Sequence, residues 1–202
     1  MKKRMDIVFI LDRSGSMQGS EDDTIGGFNS YIKKNKNNKY DTYVTTILFD
    51  DRYEVLHDRV NIKDIKELTT DDYYVRGCTA LLDAVGKTIS TLEHKKTDKV
   101  LFVITTDGYE NASREYNNEK IKELIKKHED WEFVYIGADV DSYAAGGDLG
   151  IKRDNIANYK KDKKGVNLMF SAIGKMQECL FEEQDTSGWK KELDEYIEKN
   201  EE

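Results

Sequence analysis

Asp12-Arg13-Ser14-Gly15-Ser16 sets one carboxylate and two hydroxyls at alternate positions, directly after the apolar run Ile7-Val8-Phe9-Ile10-Leu11. In extended or gently curved backbone, residues two apart point to the same side. Asp12, Ser14 and Ser16 can therefore converge on one point while Arg13 and Gly15 face elsewhere, and Gly15 lets the backbone approach closely or turn tightly. Three oxygen-bearing side chains meeting beside a strand end suit a small hard cation such as magnesium, which takes oxygen ligands in octahedral geometry. The competing reading is local: the serines cap the next helix and the aspartate closes a turn.

Two further segments favour the cation. Gly77-Cys78-Thr79-Ala80-Leu81 precedes a helical pattern, and Thr105-Thr106-Asp107-Gly108 follows the apolar Val100-Leu101-Phe102-Val103-Ile104. Thr79 alone reads as an N-cap, and Asp107-Gly108 alone as a tight turn. All three segments, however, fall at the ends of core elements. In an open parallel sheet, ligands bind beyond the carboxyl ends of the strands. A fold that aligns those ends brings Asp12, Ser14, Ser16, Thr79 and Asp107 together, and one metal site explains them more simply than five unrelated caps and turns.

This set resembles the metal-ion-dependent adhesion site (MIDAS) of the von Willebrand factor A (VWA) domain family. The DxSxS pattern stands as Asp12-x-Ser14-x-Ser16, the loop threonine as Thr79 and the strand-end aspartate as Asp107. The flanking words Gly77-Cys78-Thr79-Ala80-Leu81-Leu82-Asp83-Ala84-Val85 and Val103-Ile104-Thr105-Thr106-Asp107-Gly108 are similar too. The likeness covers nearly the whole chain and is strongest with small stand-alone VWA proteins of bacteria and phages. It implies an α/β fold: a doubly wound, Rossmann-like, mostly parallel sheet with one antiparallel edge strand and helices on both faces.

The resemblance also implies that Ser14, Ser16 and Thr79 contact the metal directly. Asp12 and Asp107 then act largely through water or hydrogen bonds, orienting the ligands and tuning affinity. Neutral hydroxyls neutralise little of the metal's charge, so an open coordination position stays electrophilic and a partner's carboxylate can fill it. The implied function is divalent-metal-dependent capture of an Asp or Glu on an unidentified partner protein, with no bond broken. Magnesium is the expected ion, and manganese or calcium are the other candidates. Glu110, Asn111 and Asp71-Asp72-Tyr73-Tyr74 are expected as exposed groups on the rim of the site.

Two alternatives stand beside this one: an accessory subunit of a chelatase-type or related ATPase and, further off, a magnesium-dependent phosphoryl-transfer enzyme. A nucleophile and a general base are not evident for the latter, since the aspartates are committed to the metal and His57, His94 and His128 lie outside the motif segments. Gly86-Lys87-Thr88 evokes a phosphate loop, but Leu81 stands where the first glycine is required, inside a helical pattern. The expectation is a binding module and not an enzyme.

Composition narrows the partners. With 202 residues, one domain with a sizeable core is expected. Hydrophobic residues make up 38% of the chain, concentrated in dense runs that argue against disorder. A net charge of -8 disfavours nucleic acid and anionic membranes as partners. The runs Lys33-Lys34-Asn35-Lys36 and Lys160-Lys161-Asp162-Lys163-Lys164 lack interleaved aromatics and read as a solvated helix end and a solvated loop. Met1-Lys2-Lys3-Arg4 followed by Ile7 to Leu11 imitates a signal peptide, but the apolar run is too short, and no stretch approaches membrane-spanning length. A cytoplasmic monomer is expected. Cys78 and Cys179 support neither a disulfide framework nor a zinc site, and Cys78 reads as a small, partly buried loop residue.

Strand and helix patterns alternate as an α/β domain requires. Strands are expected over 6–11, 42–49, 52–57, 100–105, 132–137 and 155–159, with a hairpin at Asp50-Asp51. Helices are expected over 22–34, weakened by Gly26-Gly27, over 81–92, around Ile121 to Ile125, over 141–145 and over 165–181. Residues 1–185 form the VWA-like domain. In the tail 186–202, Trp189, Leu193 and Ile197 make an apolar stripe that must bury against the domain or a partner.

Overall fold

The computed structural model describes residues 4–38, 40–92, 97 and 99–200. His94 and the first three residues of the signal-like start lie outside the described residues. In chain order the elements are β1 (Arg4–Asp12), α1 (Glu21–Asn35), β2 (Asp41–Phe49), β3 (Tyr53–Asn61), α2 (Leu81–Leu92), β4 (Lys99–Thr106), α3 (Asn118–Lys127), β5 (Trp131–Gly137), α4 (Ser142–Asp148), β6 (Ile156–Asn158), α5 (Lys163–Glu182) and α6 (Lys191–Glu198).

Continuous apolar runs demand burial on both faces of a strand, and β1 meets that demand. It is buried from Met5 to Asp12. Met5, Ile7, Phe9 and Leu11 enter one core layer with Phe28, Tyr31 and Ile32 of α1 and Val166, Phe170 and Ile173 of α5. Val8 and Ile10 enter the opposite layer with Leu82, Val85 and Ile89 of α2 and Ile121 and Ile125 of α3. β4 and β5 divide in the same way, with Leu101, Val103, Val134 and Ile136 on the first side and Phe102, Ile104, Phe133 and Tyr135 on the second.

The strand order is β3-β2-β1-β4-β5-β6. β3 runs antiparallel to β2, and the remaining pairings are parallel. This is the doubly wound architecture expected, with its antiparallel edge. β3 extends past His57 to Asn61, because the β2–β3 register shifts at Thr46 and Arg59 adopts φ 54. Such a bulge absorbs an extra residue and lets the pairing continue. Among the described residues no helix is long and apolar enough to cross a membrane.

The C-terminal segment folds back. Trp189 and Leu193 are buried in the α5 side of the core, and Trp189 Nε1 donates to Asp154 O at 2.8 Å.

Gly26-Gly27 does not break α1, and the two glycines differ in what surrounds them. A Cβ at Gly27 would lie 2.4 Å from Phe170 Cδ2, whereas one at Gly26 would meet nothing within 4 Å. Gly27 is therefore where α1 and α5 approach each other. Gly26→Ala should stabilise the protein by about 0.5–1 kcal/mol through helix propensity. Gly27→Ala should destabilise it by about 1–3 kcal/mol through overpacking. Urea denaturation of the two variants measures both, and equal effects would contradict the assignment of the contact.

Candidate metal centre

The strand ends build the site. β1 and β4 pair with Leu11 opposite Thr105, so Asp12 and the Thr106-Asp107 pair leave the sheet side by side. Thr106 Oγ1 donates to Asp12 Oδ2 at 2.5 Å, and Ser14 N donates to Asp12 Oδ1 at 2.7 Å. Both oxygens of Asp12 thus fix the loop that follows it. Ser14 Oγ and Ser16 Oγ are 3.0 Å apart, and Ser16 Oγ donates to Asp107 Oδ1 at 2.5 Å. The local capping reading fails here. Ser14 precedes the 3-10 turn Gly15–Met17 without a side-chain capping bond.

Thr79 arrives from the loop before α2. Its N–H donates to Asn111 Oδ1 at 2.9 Å, and its carbonyl accepts from the N–H of Asn111 and Ala112 at 3.0 and 3.2 Å. Gly15 N donates to Gly77 O at 3.1 Å, which ties this loop to the DxSxS segment. Gly77 has φ 67, and a Cβ there would lie 2.2 Å from Asp51 Oδ1, so glycine is needed on both counts.

Gly108 locates the common point. A Cβ on it would lie 2.9 Å from Ser16 Oγ, 3.0 Å from Thr79 Oγ1 and 3.7 Å from Ser14 Oγ. The three hydroxyls face one small space, with Asp12 and Asp107 behind them. The structure therefore brings all five residues, Asp12, Ser14, Ser16, Thr79 and Asp107, to one end of the sheet.

The electrostatics of this donor set fit a hard cation. Burial pushes the Asp12 carboxyl up to about 6, outweighing the lowering effect of its hydrogen bonds from Thr106 and Ser14. A carboxylate with so unfavourable a charge in a polar pocket marks a candidate functional position. Among the described residues, no three His, Cys, Asp or Glu side chains cluster as a metal-binding group.

Behind the site runs a network that the sequence did not disclose. Arg13 is fully buried; its Nε donates to Asp50 Oδ2 at 3.0 Å and its Nη2 to Glu54 Oε2 at 2.6 Å. Arg76 Nε donates to the same Asp50 oxygen at 2.6 Å. Main-chain bonds complete the clamp, from Arg76 N to Arg13 O at 2.9 Å and from Ala80 N to Asp50 O at 2.8 Å. Tyr73 is buried and its hydroxyl donates to Asp12 O. Burial would raise the Asp50 carboxyl, but the Arg76 bond, the Arg52 N–H and the Arg13 and Arg76 charges together hold it below its ordinary value.

Four expectations need correction. The basic run at 160–164 is not simply a solvated loop. Lys161 Nζ lies 2.8 Å from Asp107 Oδ2, 2.9 Å from Asp139 Oδ2 and 3.1 Å from Ser16 O. Burial alone would lower the Lys161 ammonium, but its bonds to Asp107 and Asp139 raise it. The signal that could have found it is β6, whose parallel pairing on β5 delivers the next residues to the metal end of the sheet.

Glu110, expected on the rim, instead caps α2. Its carboxylate accepts from Leu82 N at 2.9 Å and from Ala112 N, Ser113 N and Ser113 Oγ at 2.9, 2.7 and 2.8 Å. Tyr73, also expected on the rim, is core. Cys78 is exposed rather than partly buried. Tyr109, next to Gly108, is 63% exposed. Lys87 and Thr88 lie inside α2, as expected, where Lys87 pairs with Glu115 at 2.8 Å.

No protein-family model and no curated protein matches the chain. Solved structures do. The proximal thread matrix protein 1 of the mussel byssus superposes with a TM-score of 0.64 at 18% identity, covering 86% of this chain and 46% of that one. In a further structure of that protein, at TM-score 0.62, the MIDAS motif is occupied by zinc. The PilB minor pilin from Streptococcus sanguinis gives 0.67 at 12% identity, covering 90% and 62%. The ArnB paralog VWA2 from Sulfolobus acidocaldarius gives 0.59 at 16% identity, covering 87% and 45%. The chain spans less than two thirds of the length of each. Together with the sheet topology, these likenesses establish that the protein has the von Willebrand factor A fold.

The clamp generates a test with a defined sign. A carboxylate whose folded pKa is depressed contributes stability that is present above its unfolded value and is lost as pH falls through the folded one. Asp50→Asn should therefore cost about 3 kcal/mol at pH 7, where the buried Arg13 loses one of its two carboxylate partners. The gap to the wild type should narrow as pH falls below about 4. Denaturant titrations across pH measure this, and a gap independent of pH would refute the charge argument.

Proposed function

We propose that this protein is a divalent-metal-dependent protein-binding module that captures an acidic side chain of a partner. The observation that carries this reading is the convergence of three hydroxyls from two loops on the space beside Gly108, backed by two buried carboxylates. Ser14, Ser16 and Thr79 are the residues that would hold the ion, and Asp12 and Asp107 those that orient them. When bound, the ion supplies an electrophilic coordination position for a partner's Asp or Glu.

Each residue of this chain has a distinct part. Asp12 fixes the DxSxS loop through Ser14 N and Thr106 Oγ1, and Asp107 orients the Ser16 hydroxyl. Asn111 sets the height of Thr79. All of these act by positioning, and the module breaks no bond. Magnesium is the proposed ion, because hydroxyl and carboxylate oxygens are hard donors; manganese and calcium are the related candidates. The net charge of -8 supports a protein partner over nucleic acid or an anionic membrane. A cytoplasmic monomer is the proposed working form.

Calorimetric titration of chelator-stripped protein with magnesium tests the site directly. Ser14→Ala and Asp107→Ala should each weaken binding by about tenfold or more, with unchanged far-ultraviolet circular dichroism. The wild type should melt cooperatively with EDTA, and magnesium at a hundredfold excess over its dissociation constant should add about 2.7 kcal/mol. Affinity capture from native lysate should retain a partner with magnesium and release it with EDTA, and neutralising the partner's acidic residue should match the Ser14 defect. Capture that survives both EDTA and Asp107→Ala would place binding on another surface.

A further inference from the structure

Three oxygens from three segments hold the Lys161 ammonium. They belong to Asp107 after β4, Asp139 after β5 and the carbonyl of Ser16, at 2.8, 2.9 and 3.1 Å. The two carboxylates differ sharply in setting. The Asp107 side chain is 0% exposed, whereas that of Asp139 is 65% exposed. Asp107 is also shared: Oδ1 accepts the Ser16 hydroxyl and Oδ2 accepts Lys161. The carboxylate assigned to orienting the metal's ligands therefore carries a cation of the protein's own.

The surrounding backbone is arranged for this contact. Asp139 adopts φ 54, a conformation uncommon outside glycine, in the loop that follows β5. β6 pairs with Gly137 opposite Asn158, and Tyr159 N donates to Gly137 O at 2.9 Å, which fixes the start of the segment bearing Lys161. Asp162 then caps α5 through Gly165 N at 2.7 Å and closes the segment at its other end. Lys161 is thus held between two anchored points, with a flexible four-carbon stem and a choice of two carboxylates.

We propose that Lys161 is an internal counter-ion on Asp107 that opposes the divalent cation by like charge and passes to the exposed Asp139 when the metal binds. The inference rests on the metal-centre reading above. A divalent ion on the hydroxyls and an ammonium on the carboxylate that orients one of them repel each other, since like charges at short range near a protein surface interact appreciably. Lys161 spares the metal-free protein an unpaired charge at Asp107, a costly state for a buried group. The same contact lowers the affinity for the metal. Asp139 keeps the released ammonium beside the centre, so the exchange needs a rotation of one side chain and no change of fold.

The test compares magnesium binding to chelator-stripped wild type, Lys161→Met and Lys161→Arg by calorimetry, with thermal melts in EDTA and in saturating magnesium. Lys161→Met should bind magnesium about tenfold more tightly than the wild type, and Lys161→Arg within about threefold of it. Lys161→Met should melt below the wild type in EDTA, and the difference should shrink in magnesium. Lys161→Gln, whose amide still donates to Asp107, serves if the methionine variant fails to fold and should shift affinity in the same direction. Equal or weaker magnesium binding in the uncharged variants, with the same loss of melting temperature in both buffers, would make Lys161 a structural residue and overturn the proposal. A wild type that binds no magnesium would instead overturn the metal-centre reading itself.

Discussion

The parallel pairing of β1 with β4, with Leu11 opposite Thr105, is the constraint on which the rest depends. β1 is buried on both faces, and its alternate residues enter core layers built from different helices. A slip of one residue would send Phe9 and Leu11 into the layer of α2 and Val8 and Ile10 into that of α1. Register is therefore enforced by packing along the whole strand. The 2.5 Å contact between Thr106 and Asp12 is the terminal consequence of that enforcement. The strand order also reverses at this pair, so the following chains diverge and leave the strand ends accessible.

Charge at this end of the sheet is divided into two compartments. Asp12, Asp107 and Asp139 lie on one side with Lys161, while Arg13 and Arg76 turn to Asp50 and Glu54 on the other. Buried ion pairs of the second kind add little net stability against apolar packing, but removing one partner is expensive. Their use here is geometric. Asp50 receives two guanidinium groups on its side chain and Ala80 on its carbonyl, which ties the end of β2 to the loop bearing Thr79. Acidic groups thus lie near the hydroxyls with Lys161 among them, while Arg13 and Arg76 face away.

Much of this was legible in the chain, and the omissions share a cause. Dense apolar runs marked the strands, since a strand buried on both faces leaves no polar alternation to misread. The five candidate site residues could be found because Asp12, Ser14, Thr79 and Asp107 sit within two residues of an element's end and Ser16 completes the DxSxS spacing. Lys161 escaped although a strand was expected just before it, because the pairing of β6 on β5, and not the composition of the lysine run, decides which end of the sheet the next loop reaches. Glu110 escaped because capping α2 depends on how a separate loop folds over it, which no spacing within that loop encodes. Gly27 weakened the helical pattern locally, yet its absent side chain is what lets α5 approach. In each case the deciding contact joins segments far apart in sequence.

The spacer positions of the DxSxS segment make the same point from within a motif. The segment leaves β1 at Asp12 and turns as a 3-10 helix over Gly15–Met17. It still gathers the side chains of Asp12, Ser14 and Ser16 while Arg13 and Gly15 bond elsewhere. Neither is idle there. The carbonyl of Arg13 accepts Arg76 N and its guanidinium holds Asp50, while Gly15 N donates to Gly77 O. A Cβ at Gly15 would meet that carbonyl at 3.4 Å, an ordinary contact, so this spacer acts through its N–H. Both spacers thereby fasten the loop that delivers Thr79. One five-residue segment gathers two hydroxyls and also secures the third, so a substitution at a spacer acts on the candidate metal centre through the position of Thr79 without touching its oxygens.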